Sequence, residues 1–413
     1  MKSRATIIAA LWLSAVGTAC AGGADSLSHW GYGVTLHPNW QIGLDEYVRQ
    51  WLKDKQAFAV SMEAIHTMLP SDSSAIDADF GYPTLTVGLR YGYNNGVTMH
   101  RDDYWGQARP VDYESRLGNT LTVYGTFTRP FFRSSHWEAD YALGTGIGYN
   151  SLRYNKTDDI DNELIGSHFL VYFNAGLHLA YHPVPEWGIK AGVEFCHHSN
   201  GALARPNKGA NSVGPSLSLV YTPYYKTTIH HPPSTIHHPP STFLDFSLGV
   251  GGKTLLEDWQ QTQFHTPEGD PDYRTEDFTF YMAYSLHAKW MRRYARRWAS
   301  GIGADLFYGS YSNHVRDLDR QAGHDVAHSP WSVGVSANHS VFYHNVSLQM
   351  ALGYYLYREM GASAKEIEKP YYERIGLFYT FPSLSDLTLG VSLNAHLTKA
   401  DFTELVISYP IRI

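Results

Sequence analysis

Charge is scarce in this sequence: Asp, Glu, Lys and Arg make up 17% of its 413 residues. Cysteine is nearly absent, with two in the whole chain. An apolar run long enough for a transmembrane helix is missing too. The run from Ala5 to Val16 falls short of the roughly 20 residues such a helix needs, and nothing after it would stop transfer. Each absence excludes something. The formal net charge of -7 is small for this length and argues against a nucleic-acid partner. A soluble enzyme with so few charges would be more hydrophobic on average, yet the mean hydropathy is negative.

The amino terminus explains the apolar run. Lys2 and Arg4 form a short basic region, Ala5 to Val16 the apolar segment, and Ala19-Cys20-Ala21 a small-x-small cleavage site. Gly17 stands where a lipoprotein signal wants Leu, which favours cleavage after Ala21 over lipidation of Cys20. Residues 1–21 are therefore expected to be a signal peptide. The mature chain keeps only Cys196 and cannot form an internal disulfide.

What the chain does have is aromatic residues and glycine: 30 Tyr, 11 Trp and 36 Gly. A transmembrane β-barrel accounts for this combination. Half of each strand is apolar, the other half is polar or Gly, and aromatic girdles mark both interfaces. Period-two alternation is clearest at 167–181. Phe169, Val171, Phe173, Ala175, Leu177, Leu179 and Tyr181 fall on one face, with His168, Leu170, Tyr172, Asn174, Gly176, His178 and Ala180 on the other. That run exceeds the ~9–11 residues a tilted strand needs to cross a bilayer. Similar segments lie at 119–129 and 243–250. A soluble antiparallel sandwich would have shorter strands at regular short spacing, and would leave the export signal and the aromatic excess unexplained.

About eight such segments precede residue 226 and about eight follow 242, an even number in each half as bacterial barrels favour. Between them lies a direct tandem repeat, Ile229-His-His-Pro-Pro-Ser-Thr and Ile236-His-His-Pro-Pro-Ser-Thr. Paired prolines remove donors and impose extended geometry, so 226–242 reads as a solvated linker, not a metal-catching tract. The halves echo each other, Ala142-Leu-Gly recurring as Ala351-Leu-Gly, which suggests duplication of one unit. The expected fold is all-β: an antiparallel transmembrane β-barrel built as two tandem eight-stranded units, at 22–225 and 243–413. One sixteen-stranded barrel is the alternative.

One strand carries residues with chemistry. From Trp187, one face runs Trp187, Ile189, Ala191, Val193, Phe195, His197, Ser199, and the other Gly188, Lys190, Gly192, Glu194, Cys196, His198, Asn200. The first face is apolar up to His197 and Ser199, so it points to lipid. A His and a Ser two apart on one face lie within hydrogen-bonding reach, the minimum for a base-activated nucleophile. Asn211 keeps the phase of the apolar face of the next strand, Val213 to Tyr221, and would project near His197 as an orienter of the imidazole. The plainer alternatives are solvated rim residues for His197 and Ser199, and a turn cap for Asn211. A zinc site is not indicated, because His197 and His198 point apart and no third ligand sits at a suggestive spacing.

The stretch Phe195-Cys-His-His-Ser-Asn-Gly-Ala-Leu-Ala-Arg-Pro-Asn-Lys-Gly-Ala-Asn211 resembles the signature of the PagL-type lipid A 3-O-deacylases. That family carries a His-x-Ser-Asn motif, here at 197–200, followed by Pro-Asn-x-Gly, here at 206–209, before its last strand. The resemblance covers roughly 28–225. It implies His197 as general base, Ser199 as nucleophile and Asn200 in the oxyanion hole, with Asn207 and Gly209 in the supporting loop. It implies no metal or organic cofactor, and as substrate the lipid A of lipopolysaccharide in the outer membrane. The family's acidic triad member falls on Asn211, a departure that removes a full negative charge. The second half lacks the pair: His396 aligns with His198, while Ala395 and Leu397 replace His197 and Ser199. The rival functions are a non-catalytic barrel serving as a pore or scaffold, and a phospholipase using the same dyad.

Overall fold

The structure, a computed structural model, describes residues 29–223, 225–228, 239–362, 370–397 and 399–413. The signal sequence expected at 1–21 and most of the tandem repeat lie outside the described residues. Alternating apolar and polar residues, rich in Tyr, Val, Thr and Phe, form long strands throughout. They are β1 (Trp30–Ile42), β2 (Leu52–Thr67), β3 (Thr84–Tyr93), the short β4 (Val97–Met99) and β5 (Ser115–Arg116), β6 (Thr120–Arg133), β7 (Trp137–Asn150), β8 (Phe169–Val184), β9 (Trp187–Ser199) and β10 (Ala210–Tyr221). The second half gives β11 (Ser241–Thr254), β12 (Phe280–Ala295), β13 (Trp298–Gly309), β14 (His328–Tyr343), β15 (Val346–Met360), β16 (Tyr371–Phe381), β17 (Leu387–His396) and β18 (Lys399–Arg412).

These strands close into two antiparallel eight-stranded barrels, not one of sixteen. In the first, the order β1-β10-β9-β8-β7-β6-β3-β2 returns to β1 through the β1–β2 pairing, and β4 and β5 extend β2 beyond the barrel wall. The second runs β11 to β18 in sequence and closes through β11–β18. Closure removes the unpaired sheet edges that hydrocarbon could not satisfy.

Each barrel is inverted relative to a soluble protein. The outer faces expose Val87, Ile147, Leu177, Val193, Ile302 and Leu405, while the interiors hold paired charges. In the first lumen His178 bridges Asp140 at 2.8 Å and Glu194 at 3.2 Å, and Lys190 reaches Asp140 at 2.7 Å. In the second, His287 lies 2.6 Å and Arg374 3.3 Å from Asp305. Eight strands leave an interior that side chains can fill. Removing one partner of such a buried pair costs roughly 3–5 kcal/mol, so the lumens hold the barrels together as well as filling them.

The two ends differ. Turns such as 134–136, 185–186, 296–297 and 344–345 are short, with 68–83 the exception at that end, whereas the opposite end carries the long connections 100–114, 151–168 and 255–279. Outer-membrane barrels place short turns in the periplasm and long loops outside. Exposed Tyr93, Tyr149, Phe169 and Phe280 ring the loop end, and Trp30, Trp137, Trp187 and Trp298 the turn end. The fold is that of an outer-membrane β-barrel protein.

The barrels touch at both ends. At the turn end Arg296 pairs with Asp79 at 2.8 Å, and Tyr343 donates to Asp77 at 2.7 Å. At the loop end Tyr154 donates to the Arg274 carbonyl at 2.9 Å and packs on Trp259. The residue just before the expected linker is held against the first barrel: Tyr225 stacks on His182 at 3.6 Å and its hydroxyl donates to the Ser134 carbonyl.

The outward faces should respond to depth. Leu177→Arg, at the middle of β8, should destabilise the first barrel by about 2–4 kcal/mol in lipid vesicles, and Val184→Arg at the turn end by about 0–1 kcal/mol. Denaturant titration in vesicles checks this; equal costs would contradict a bilayer centred on these strands.

Candidate active site

Register brings the site together. β10 pairs antiparallel with β9 so that Asn211 lies directly opposite His197, and on the other side β8 sets Phe173 against His197 and Val171 against Ser199. Alternation then sorts the side chains. Ile189 and Val193 are exposed on the outer face, and Glu194, Cys196 and His198 point into the lumen. There His198 Nε2 meets Thr122 Oγ1 at 3.1 Å and its ring packs on Tyr172. His197, one residue earlier, is on the outer face.

The geometry at His197 is a relay. Its Nε2 lies 2.8 Å from Ser199 Oγ, and its Nδ1 lies 2.7 Å from Asn211 Oδ1. The Asn211 Nδ2 donates to the Gly209 carbonyl at 3.1 Å. An amide has one acceptor oxygen and one donor nitrogen. With the nitrogen committed to Gly209, the oxygen must face the imidazole. Nδ1 therefore carries the proton, and the bare Nε2 accepts from the Ser199 hydroxyl. Asn211 thus caps the turn and orients the imidazole at once, so the two roles weighed for it from sequence are not exclusive.

The loop after Ser199 is held from several sides. The Asn200 backbone N–H donates to Asn207 Oδ1 at 3.0 Å, and Asn200 Oδ1 accepts from the Ala204 N–H at 3.3 Å. Asn200 Nδ2 is buried with no partner among the described residues. An unpaired buried donor beside a hydroxyl that hydrogen-bonds an imidazole could receive a developing oxyanion. Gly209 and Lys208 donate their backbone N–H groups to the carbonyls of Leu164 and Glu163, at 3.0 and 3.1 Å.

No carboxylate bonds to His197 among the described residues. Glu163 is engaged by Tyr47 at 2.6 Å and Arg101 at 3.2 Å, and Glu194 is turned into the lumen between His37 and His178. Burial pushes the Glu163 carboxyl up from its ordinary range, opposed by the Arg101 guanidinium. Sequence reading brought out neither Arg101 nor Glu163. Glu163 meets the loop through its backbone carbonyl and Arg101 pairs with the Glu163 side chain, and neither contact leaves a pattern in the sequence. No group of three or more His, Cys, Asp or Glu among the described residues is arranged to hold a metal ion. In the second barrel the corresponding strand end carries none of this. His396 is buried, 3.0 Å from the Tyr355 hydroxyl, and Leu397 lies in a turn with φ +50°.

Two family models match the chain. Residues 82–220 match "Lipid A 3-O-deacylase (PagL)", and residues 242–413 match "Acyloxyacyl hydrolase, C-terminal domain". No curated protein matches significantly. Among solved structures, the outer membrane enzyme PagL is 16% identical, covering 46% of this chain and 98% of its own, with a TM-score of 0.28. Acinetobacter baumannii OccAB4 is 9% identical over 95% of this chain and 100% of its own, with a TM-score of 0.23. The Pseudomonas putida toluene transporter TodX is 10% identical over 96% and 93%, with a TM-score of 0.17. Scores this low carry no argument; the barrels stand on their own strand pairing.

Gly209 gives the site a sharp steric test. Its φ is +77°, and a Cβ there would lie 2.6 Å from His197 Cε1. Gly209→Ala should therefore displace the imidazole and slow any reaction run through His197 and Ser199 about 10²-fold, with both barrels still folded. Steady-state rates alongside heat-modifiability on gels check this, and an unchanged rate would remove Gly209 from the site.

Proposed function

From the premise that the chain belongs to the lipid A 3-O-deacylase (PagL) family over residues 82–220, joined to an acyloxyacyl hydrolase C-terminal domain over 242–413, we propose that it is an outer-membrane serine esterase that removes the ester-linked 3-hydroxyacyl chain of lipid A. One observation carries the reading: the Ser199–His197–Asn211 relay sits on the lipid-facing side of β9 and β10, at the loop end. Lipopolysaccharide occupies the leaflet on that side, so a dyad there meets an ester at the membrane interface.

The chemistry follows from the tautomer. Ser199 Oγ attacks the ester carbonyl carbon while its proton passes to His197 Nε2. The carbonyl oxygen takes the negative charge, with Asn200 as the donor available to it. The tetrahedral adduct collapses, the carbon–oxygen bond to the sugar breaks, and His197 returns the proton to the departing 3-oxygen. Water then attacks the acyl-Ser199 ester, giving up a proton to His197; the acyl–Oγ bond breaks, His197 returns that proton to Ser199 Oγ, and a 3-hydroxy fatty acid leaves. Asn211 keeps the imidazole oriented through both steps. As a neutral group it stabilises the imidazolium less than a carboxylate would.

Paired charges fill both lumens, which argues against a pore. In mass spectra of lipid A from cells carrying the protein, one 3-hydroxyacyl chain should be lost, and Ser199→Ala or His197→Ala should restore it. Lysophospholipid instead would mark a phospholipase, and unchanged lipids a barrel without this activity. His198→Ala should be far milder, since that ring faces the lumen; an equal loss for His197 and His198 would contradict the strand phase. Asn211→Leu should lower kcat by about 10²–10⁴-fold, less than loss of Ser199. An unchanged rate in that variant would end the orienting role.

A further inference from the structure

The second barrel has no dyad of its own, yet it grips the segment that follows Ser199. The Thr403 hydroxyl on β18 donates to the Gly201 carbonyl at 2.7 Å. The Thr254 N–H and Oγ1, at the end of β11, both reach the Ala202 carbonyl, at 2.9 and 3.2 Å. In return Arg205 donates from Nε and an Nη to the Thr254 carbonyl, at 3.1 and 2.9 Å. These bonds surround the two residues after Ser199-Asn200 whose backbone is left-handed, Gly201 at φ +63° and Ala202 at +70°. That conformation is unfavourable for a residue with a Cβ such as Ala202, and it persists only where the surroundings fix it.

We propose that the second barrel is a positioning element for the catalytic loop of the first, acting through Thr403 and Thr254. The reasoning is peptide geometry. In a planar trans peptide the C=O and the following N–H point in opposite directions. Holding the Gly201 carbonyl against Thr403 fixes the Ala202 N–H to point away from the second barrel. Holding the Ala202 carbonyl against Thr254 does the same for Leu203, whose N–H donates to the Asn200 carbonyl at 3.2 Å. The conformation of Asn200, and with it the donors beside Ser199, is thereby set from the second barrel. Thr254 is buried and Ala202 fully so, which shields the Thr254–Ala202 bonds from water.

The inference rests on the esterase reading but has a readout independent of it. In the full chain in detergent micelles or vesicles, Thr403→Val removes the hydroxyl at nearly constant volume. Hydrogen exchange of the 200–209 peptide should quicken by about fivefold, the loss of one hydrogen bond. Arg205→Met, which removes two bonds from the first-barrel side, should act in the same direction. Deacylation by Thr403→Val should lose about 10- to 100-fold in kcat with KM little changed, and Thr403→Ser should recover both measurements. Unchanged exchange and unchanged kcat in both Thr403→Val and Arg205→Met would overturn the proposal, as would a loss in KM alone. If the wild-type chain fails to deacylate lipid A, the esterase reading falls, and loop exchange alone decides the positioning role.

Discussion

The side-chain amide of Asn211 has one oxygen and one nitrogen, and the site depends on both being committed. The nitrogen holds the Gly209 carbonyl, which forces the oxygen toward His197 Nδ1. That single orientation places the imidazole proton on Nδ1 and leaves Nε2 bare for Ser199. A carboxylate would add charge, but it would also set a second negative oxygen against the Gly209 carbonyl. The neutral residue is thus consistent with the turn it closes. On the proposed esterase reading, Asn211 in place of an acid is a different way of fixing the same tautomer.

This works because antiparallel register is unforgiving. A slip of one residue between β9 and β10 would turn Asn211 into the lumen and bring Ala210 opposite His197. Register is held by the apolar outer faces of both strands and by the lumen contacts of Lys190, Glu194 and His198 on the inner face of β9. The polar interior and the outward dyad are therefore linked: the charges that fill the first barrel also keep His197 and Ser199 on the lipid side. The second barrel adds what strand alternation cannot, a hold on the irregular backbone beyond the end of β9.

Much of this was legible in the sequence, for identifiable reasons. Period-two alternation has only two faces to choose from, so the outward direction of His197 and Ser199 and the inward direction of His198 and Glu194 followed from counting. The Pro-rich tract and the echoing halves pointed to two barrels, and the strand pairing closes them separately. Other features left no trace. The grip of Thr403 and Thr254 on the loop joins residues about 50 and 200 positions apart through backbone carbonyls, and any residue supplies a carbonyl. The Arg101–Glu163 pair stands in long connections without periodicity. Cross-chain hydrogen bonds to backbone become visible only once the chain is folded.

The central claim is that His197 activates Ser199 on the lipid-facing surface, and irreversible phosphonylation tests it without depending on turnover or on lipid A. The full chain in micelles is treated with a fluorophosphonate, and the modified residue is mapped by peptide mass spectrometry. The phosphonyl group should be found on Ser199, with the rate of labelling collapsing in His197→Ala and persisting in His198→Ala. Labelling of Ser199 at the same rate without His197, or of another residue in its place, would contradict the account.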